Sequence, residues 1–224
     1  MKTKSLLQQQ AYDFIKEKIL SGELAPDTLY SETKLSSEVG ISRTPMREAL
    51  QCLSQDGYIT IVPSKGFQIR QLTEKDMIES IQVRCAIEGF CTSTIAAEVD
   101  TPKGKALLDS LENILSNMRL CAKKADSNHD ALERFIDYDH EFHLKLVEYM
   151  ENIEFEDLYQ RLMYMIRLTS NTALSKEGRI IGTLDEHEKY FKALKNGKSH
   201  EAYSILINHL LMPIKIHEEA EEQQ

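Results

Sequence analysis

The sequence predicts a mainly α-helical protein in two parts: three helices with a β-hairpin, then an all-α antiparallel bundle. Three observations predict it. Gly (9) and Pro (5) are scarce among the 224 residues and Trp is absent, so few positions interrupt helices. Apolar residues recur at helical spacing except near 58–71, where two short segments alternate instead. Charge is uneven: residues 1–72 carry nine Lys and Arg against eight Asp and Glu, and residues 73–224 carry eighteen against twenty-eight. A near-neutral first third beside an acidic remainder predicts two domains with different partners, 1–72 and 73–224. An anionic partner would be held by the first domain only.

From about 6 to 21, Leu7, Ala11, Phe14, Ile15 and Ile19 form one stripe, closed by Ser21-Gly22. GELAPDTLYS is a turn-rich link containing Pro26 and Asp27. Ser31 caps a short helix, SETKLSSEVG, that stops at Gly40. ISRTPMREALQCLSQDG supplies the third helix, with Met46, Ala49, Leu50 and Leu53 on its apolar face. Pro45 fits the first turn, where a missing N–H costs no intrahelical bond, and Ser42 or Thr44 can cap the free amides. YITIV (58–62) and FQIRQ (67–71) read as strands joined by PSKG, with Gly66 where a positive φ is expected. Two short helices across a Gly-containing turn, followed by a hairpin, make a winged helix-turn-helix.

After QLTEKDM every segment reads as helix: about 74–98, 102–125, 129–150, 153–174, 178–196 and 198–219. Pro213 should bend the last helix or end it early, and EEAEEQQ should be a frayed acidic tail. No apolar run approaches the ~20 residues that span a membrane, so no membrane partner is expected. The N-terminal stretch MKTKSLLQQQAYDF does not read as a signal peptide, and the expected location is the cytoplasm. Cys52, Cys85, Cys91 and Cys121 form no CxxC pair and are expected as reduced thiols.

In a helix-turn-helix the N-terminal residues of the second helix reach the major groove. Arg43, Thr44 and Arg47 stand there, and the two arginines, four apart, share one face. Guanidinium forks match phosphates and the O6/N7 edge of guanine. Ser42, Thr44 and the helix N-terminal amides can take phosphate oxygens. Lys65 at the wing tip, beside Gly66, is placed to reach phosphate or the minor groove. The alternative is a solvated face whose arginines pair with Glu48 or Asp56, which leaves turn, cap and wing unexplained together.

The segment from Gly22 to Thr73 resembles the DNA-binding domain of the GntR superfamily of bacterial regulators. The resemblance rests on Gly22, Leu24, Pro26, Leu29, Glu32, Leu35, Gly40, Ser42, Arg43, Pro45, Arg47, Glu48, Ala49, Leu50, Leu53, Gly57, Pro63 and Gly66. It implies double-stranded DNA as partner and Ser42, Arg43, Thr44, Arg47, Lys65 and Gly66 as contacts. Asp27 departs from the usual Gly, and Thr33 stands where some members carry an arginine that touches DNA.

In the second domain polar residues interrupt apolar stripes. The 129–150 stripe reads Phe135, Asp139, Phe142, His143, Leu146, Met150. Those at 178–196 and 198–219 include His187 and His209. One carboxylate and three imidazoles thus face inward from three helices. Burying them without partners is unfavourable, and one divalent ion would satisfy all four. Such a donor set suits Zn, Ni or Mn with a position open for a ligand oxygen. The alternative, for any one histidine, is a hydrogen-bonded core residue. His129, His140, His200 and His217 read as surface or structural.

VRCAIEGFCTSTIAA, DHEFH, DEHEKYFKALKNGKSHEA and NHL, spread over about 73–216, are similar to the FCD ligand-binding domain of the FadR branch of the same superfamily. The resemblance implies a metal on Asp139, His143, His187 and His209 that holds a small carboxylate effector. Arg84 and Glu88, i,i+4 neighbours, read either as a helix salt bridge or with Arg84 as a carboxylate donor in the pocket. Arg167 and Asn171 are candidates of the same kind. The expected function is a homodimeric repressor on a palindromic operator, released by its effector. The alternatives are an effector-independent DNA-binding protein with a structural histidine cluster, and a metalloenzyme.

Overall fold

A computed structural model describes residues 5–26, 28–71, 73–125 and 128–222, the last three as backbone. The Asp27 turn and the last two residues of the acidic tail lie outside the described residues. The chain divides after Thr73 into two compact units.

In the first unit, α1 (Leu6–Leu20) opens on a capping box in which Ser5 and Gln8 satisfy each other's backbone amides. β1 (Leu29–Tyr30) leads into α2 (Glu32–Val39), whose first turn is capped by Ser31. Gly40, at φ 76°, ends α2 in the left-handed conformation that glycine adopts without strain. α3 (Arg43–Gln55) follows after a two-residue link, and β2 (Ile59–Val62) and β3 (Gly66–Ile69) form the wing. Ala11, Ile15, Met46, Ala49, Leu53, Tyr58 and Phe67 are fully buried, so helices and hairpin share one core.

β1 was not expected. It pairs antiparallel with β3, Leu29 opposite Gln68 and Tyr30 opposite Phe67, giving the order β1-β3-β2. A two-residue strand has no period to read. What fixes it is tertiary: the Tyr30 ring stacks on Phe67 at 5.7 Å, and the Tyr30 hydroxyl accepts from the Ala25 amide at 2.7 Å.

This third strand explains Gly66. Its φ is 135°, and a Cβ there would lie 2.0 Å from the Tyr30 carbonyl oxygen. The close approach that Gly66 permits is therefore to β1. Gly66→Ala is expected to destabilise the first unit by roughly 2–3 kcal/mol through backbone strain and loss of the β1–β3 pairing. Urea unfolding of the variant checks it, and an unchanged midpoint refutes it.

The second unit is helical among the described residues. α4 (Glu74–Glu98), α5 (Pro102–Ala122), α6 (His129–Glu148), α7 (Ile153–Leu174) and α8 (Arg179–Lys195) are followed by α9 (Ser199–Leu210) and α10 (Met212–Glu222). Thr101, Asn128 and Asn152 cap α5, α6 and α7 with their side chains. The expected 198–219 helix is two helices. It breaks at Leu211, and Pro213 stands in the first turn of α10, where its missing N–H costs nothing. Leu111, Leu115, Phe135, Phe142, Tyr159 and Leu194 are fully buried and centre the bundle core. No helix among the described residues is long and apolar enough to cross a membrane.

Candidate functional site

Two groups of residues singled out by sequence come together, one in each unit. In the first, α3 buries Met46, Ala49, Leu50 and Leu53 and leaves Ser42, Arg43, Thr44 and Arg47 exposed on the opposite side. Ser42 is the N-cap, yet its hydroxyl makes no capping bond. The side chains of Arg43 and Lys65, both exposed, make no hydrogen bond or ion pair among the described residues. Arg47 pairs with Glu32 on α2, through Nη2 at 3.2 Å and Nε at 3.4 Å, not with Glu48 or Asp56. Asp56 instead accepts from the Tyr12 hydroxyl. The Arg47 side chain is 65% exposed, so its ion pair contributes at most about 1 kcal/mol and leaves the guanidinium available.

In the second unit, α6 places Asp139 and His143 one turn apart, α8 supplies His187 and α9 supplies His209. One ligand atom from each lies within 4.8 Å of all the others. The ring orientations follow from their outer nitrogens. His143 Nδ1 donates to Glu88 at 2.6 Å, His187 Nδ1 to the Thr183 carbonyl at 2.8 Å and His209 Nδ1 to Glu186 at 2.7 Å. These acceptors hold each neutral ring with its proton on Nδ1 and its Nε2 lone pair turned inward.

That arrangement suits a cation. The Nε2 atoms of His143 and His209 lie 3.1 Å apart, lone pair against lone pair. His187 Nε2 and Asp139 Oδ1, 3.4 Å apart, are both buried without a hydrogen bond. Burial opposes ionisation of Asp139, and the imidazoles of His187, His143 and His209 outweigh it, holding the carboxyl below its usual range. Burial lowers His187 to about 3 and lowers His143 as well, so both of these rings favour the neutral form. Among the described residues Asp139 is paired with no Lys or Arg, and a bound cation would compensate its buried charge. Two nitrogens 3.1 Å apart can both touch one ion at the ~2.0–2.1 Å typical of zinc and imidazole, so the donor set fits a divalent metal.

Behind His143 and His209 the partners are carboxylates. Glu88, fully buried, accepts from His143, from Arg84 Nε at 2.8 Å and from the Tyr159 hydroxyl at 3.1 Å. Burial pushes Glu88 up, but Arg84 and His143 outweigh it and hold it down, at about 2. Glu186 is gripped by both terminal nitrogens of Arg179, at 2.9 and 3.1 Å. Burial is again outweighed, by His209 and Arg179, and Glu186 is lowered to about 2.

Beside this cluster is a cavity of about 370 Å³, its open mouth included, whose polar wall is Arg84, Asp139, Ser170, Arg179, Thr183 and His209. Arg84 is both things the sequence allowed: a partner of Glu88 and a cavity residue, with Nη2 buried and unpartnered. Arg167 is not part of the wall and donates to Asp137 at 2.7 Å. Asn171, half-buried, is also absent from the wall, and its Oδ1 has no partner. His140 is buried and shares a hydrogen bond with Ser170 through Nε2 at 3.3 Å, so it is structural rather than on the surface. Sequence reasoning missed Arg179, Glu186 and Tyr159. The one available signal was that Arg179, Thr183 and Glu186 share a face of α8 by their spacing.

Residues 7–69 match the bacterial regulatory proteins of the gntR family, and residues 79–211 match the FCD domain. The chain is 32% identical over 190 residues to a gluconate operon transcriptional repressor of Bacillus licheniformis, covering 81% of this chain and 72% of that protein. It is 25% identical over 216 residues to the transcriptional repressor GlaR of Escherichia coli, covering 93% and 94%. Its fold is similar to that of E. coli McbR/YncC, with a TM-score of 0.76 at 19% identity over 97% of this chain and 99% of that one. The chain belongs to the GntR family, carries an FCD domain after its helix-turn-helix, and is a DNA-binding transcription regulator, not an enzyme.

Proposed function

We propose that the protein is a metal-dependent, effector-controlled repressor. Residues 1–72 bind a palindromic operator as part of a homodimer, and residues 73–224 dimerise and bind the effector. Asp139, His143, His187 and His209 hold one divalent ion, Zn, Ni or Mn. The bound ion supplies an electrophilic anchor for a carboxylate oxygen, and Arg84 offers its free Nη2 to the same group. The repressor names of two relatives support the direction of control. The expected setting is the cytoplasm, where operator and metabolites meet.

One observation carries this reading. Three Nε2 atoms and a carboxylate oxygen converge within 4.8 Å, while every outer Nδ1 is already engaged. The test is operator binding by fluorescence anisotropy on metal-loaded protein, across small carboxylates ranked by thermal shift. An acid that raises the melting temperature should also weaken operator binding. If no acid in the screen does both, effector control fails.

At the operator, Ser42, Arg43, Thr44 and Arg47 face the major groove, and Lys65 reaches phosphate with Gly66 beside it. Arg47→Ala is expected to weaken specific binding by about 1–3 kcal/mol if Arg47 reads a base. A uniform loss across sequences, with a shallower salt dependence, would make it a phosphate contact. Unchanged binding in both assays removes Arg47 from the interface.

A further inference from the structure

Two arms of the metal-ligand cluster run back to the cavity. On one, His143 Nδ1 donates to Glu88, and Arg84 Nε donates to the same carboxylate. On the other, His209 Nδ1 donates to Glu186, which Arg179 grips with both terminal nitrogens. Arg84 and Arg179 both line the cavity. Each keeps a buried nitrogen without a partner, Nη2 on Arg84 and Nε on Arg179, and Arg84 is only 6% exposed. One guanidinium therefore meets the cavity on one side and, on the other, the carboxylate that aims a ligand histidine. Groups outside a first coordination sphere that orient its histidines typically change metal affinity 10–100-fold.

The charges of these arms set the charge of the ligand. Asp139, Glu88 and Glu186 bring three negative charges, and Arg84 and Arg179 bring two positive ones. A divalent ion turns that net single negative into a net single positive. Buried charge without compensation is costly. One carboxylate neutralises the cluster, and a second would return it to excess negative.

Resting on the metal-and-carboxylate reading above, we propose that Arg84 and Arg179 couple the metal to a monoanionic carboxylate, each ligand tightening the other, with dicarboxylates disfavoured. Arg179 is a positioning residue for His209 through Glu186. Coupling of this kind is reciprocal, so the factor by which the acid tightens the metal equals the factor by which the metal tightens the acid.

The experiment uses the full chain, stripped and then reloaded with zinc. Zinc affinity is measured by competition with a fluorescent chelator, with and without saturating 3-hydroxypropionate or 4-hydroxybutyrate. The affinity of each acid is measured by calorimetry with and without zinc. Malonate and succinate serve as dianions of matched length, corrected for the zinc they hold in solution. The expected result is tightening of roughly fivefold or more, equal in both directions, with each dianion weaker than its monoanionic partner. Arg179→Gln and Arg179→Lys, shown to be folded by circular dichroism, are expected to bind zinc while the coupling factor falls towards one. Wild-type coupling near one, or unchanged coupling in both variants, overturns the proposal. Dianions that bind as tightly as the monoanions overturn its charge argument. A chain that takes up no zinc, or a zinc-loaded chain that binds neither series, fails instead at the underlying metal-and-carboxylate reading.

Discussion

Chelating the metal is expected to lower the melting temperature of the helical unit by roughly 6–15 °C. The size follows from mass action. A ligand present at 100–1,000 times its Kd stabilises the folded state by about 2.7–4.1 kcal/mol. For a domain of 150–250 residues each kcal/mol moves the melting temperature by about 2–4 °C. The structural reason is the set of groups left behind. Without the ion, the Nε2 atoms of His143 and His209 oppose each other at 3.1 Å. Asp139 Oδ1 and His187 Nε2 stay buried with no partner. His143→Ala should abolish the chelator-sensitive shift, because it removes one donor and the Glu88-anchored arm together. His200→Ala, at an exposed position, should retain it. Metal analysis by mass spectrometry, paired with melting curves, reads both. A melting temperature insensitive to chelator in the wild-type chain, with no metal found, would leave the histidines as a structural cluster.

Much of this site was legible because the sequence breaks its own pattern there. Asp139, His143, His187 and His209 sit on stripes that are otherwise Phe, Leu and Ile, and a 3.6-residue period assigns them inward. That they meet is a tertiary fact, but three helices with inward polar residues need a common solution. The bounds of α4 and α7 were equally readable, since neither holds a Pro and Gly89 of α4 is the one Gly within them. What was not legible depends on partners distant in sequence. Glu186 was seen only as the residue before His187, yet His209 and Arg179 define what it does. Arg47 had plausible partners nearby in sequence, and its actual partner Glu32 lies on the preceding helix. β1 is two residues long and exists only because β3 is there to pair with it. Gly66 illustrates the same limit: its need for a positive φ was readable, but the neighbour that excludes a side chain was not.

Glu88→Ala is expected to destabilise the helical unit by about 3–5 kcal/mol, the cost of removing one partner from a buried ion pair. Glu88 is the single acceptor for Arg84 Nε, His143 Nδ1 and the Tyr159 hydroxyl, all in an environment closed to water. Its loss strands the Arg84 guanidinium, which burial disfavours and which Glu88 chiefly compensates. A double variant separates stability from metal binding. Replacing Arg84 and Glu88 together by Met and Leu removes the stranded charge, and apolar replacements of buried ion pairs are often neutral in stability. Most of the lost melting temperature should therefore return. Metal affinity should not return, because His143 still lacks the carboxylate that fixes its proton on Nδ1, and a loss of about 10–100-fold is expected. Acid titration gives an independent check of sign. Glu88 is held near 2, below its unfolded value of about 4.5, so its contribution is complete above about pH 4.5. It is lost as pH falls from about 4.5 towards 2, and the double variant should lose less stability across that window. If the double variant regains both stability and metal affinity, Glu88 serves only to neutralise Arg84, and His143 is held by packing alone.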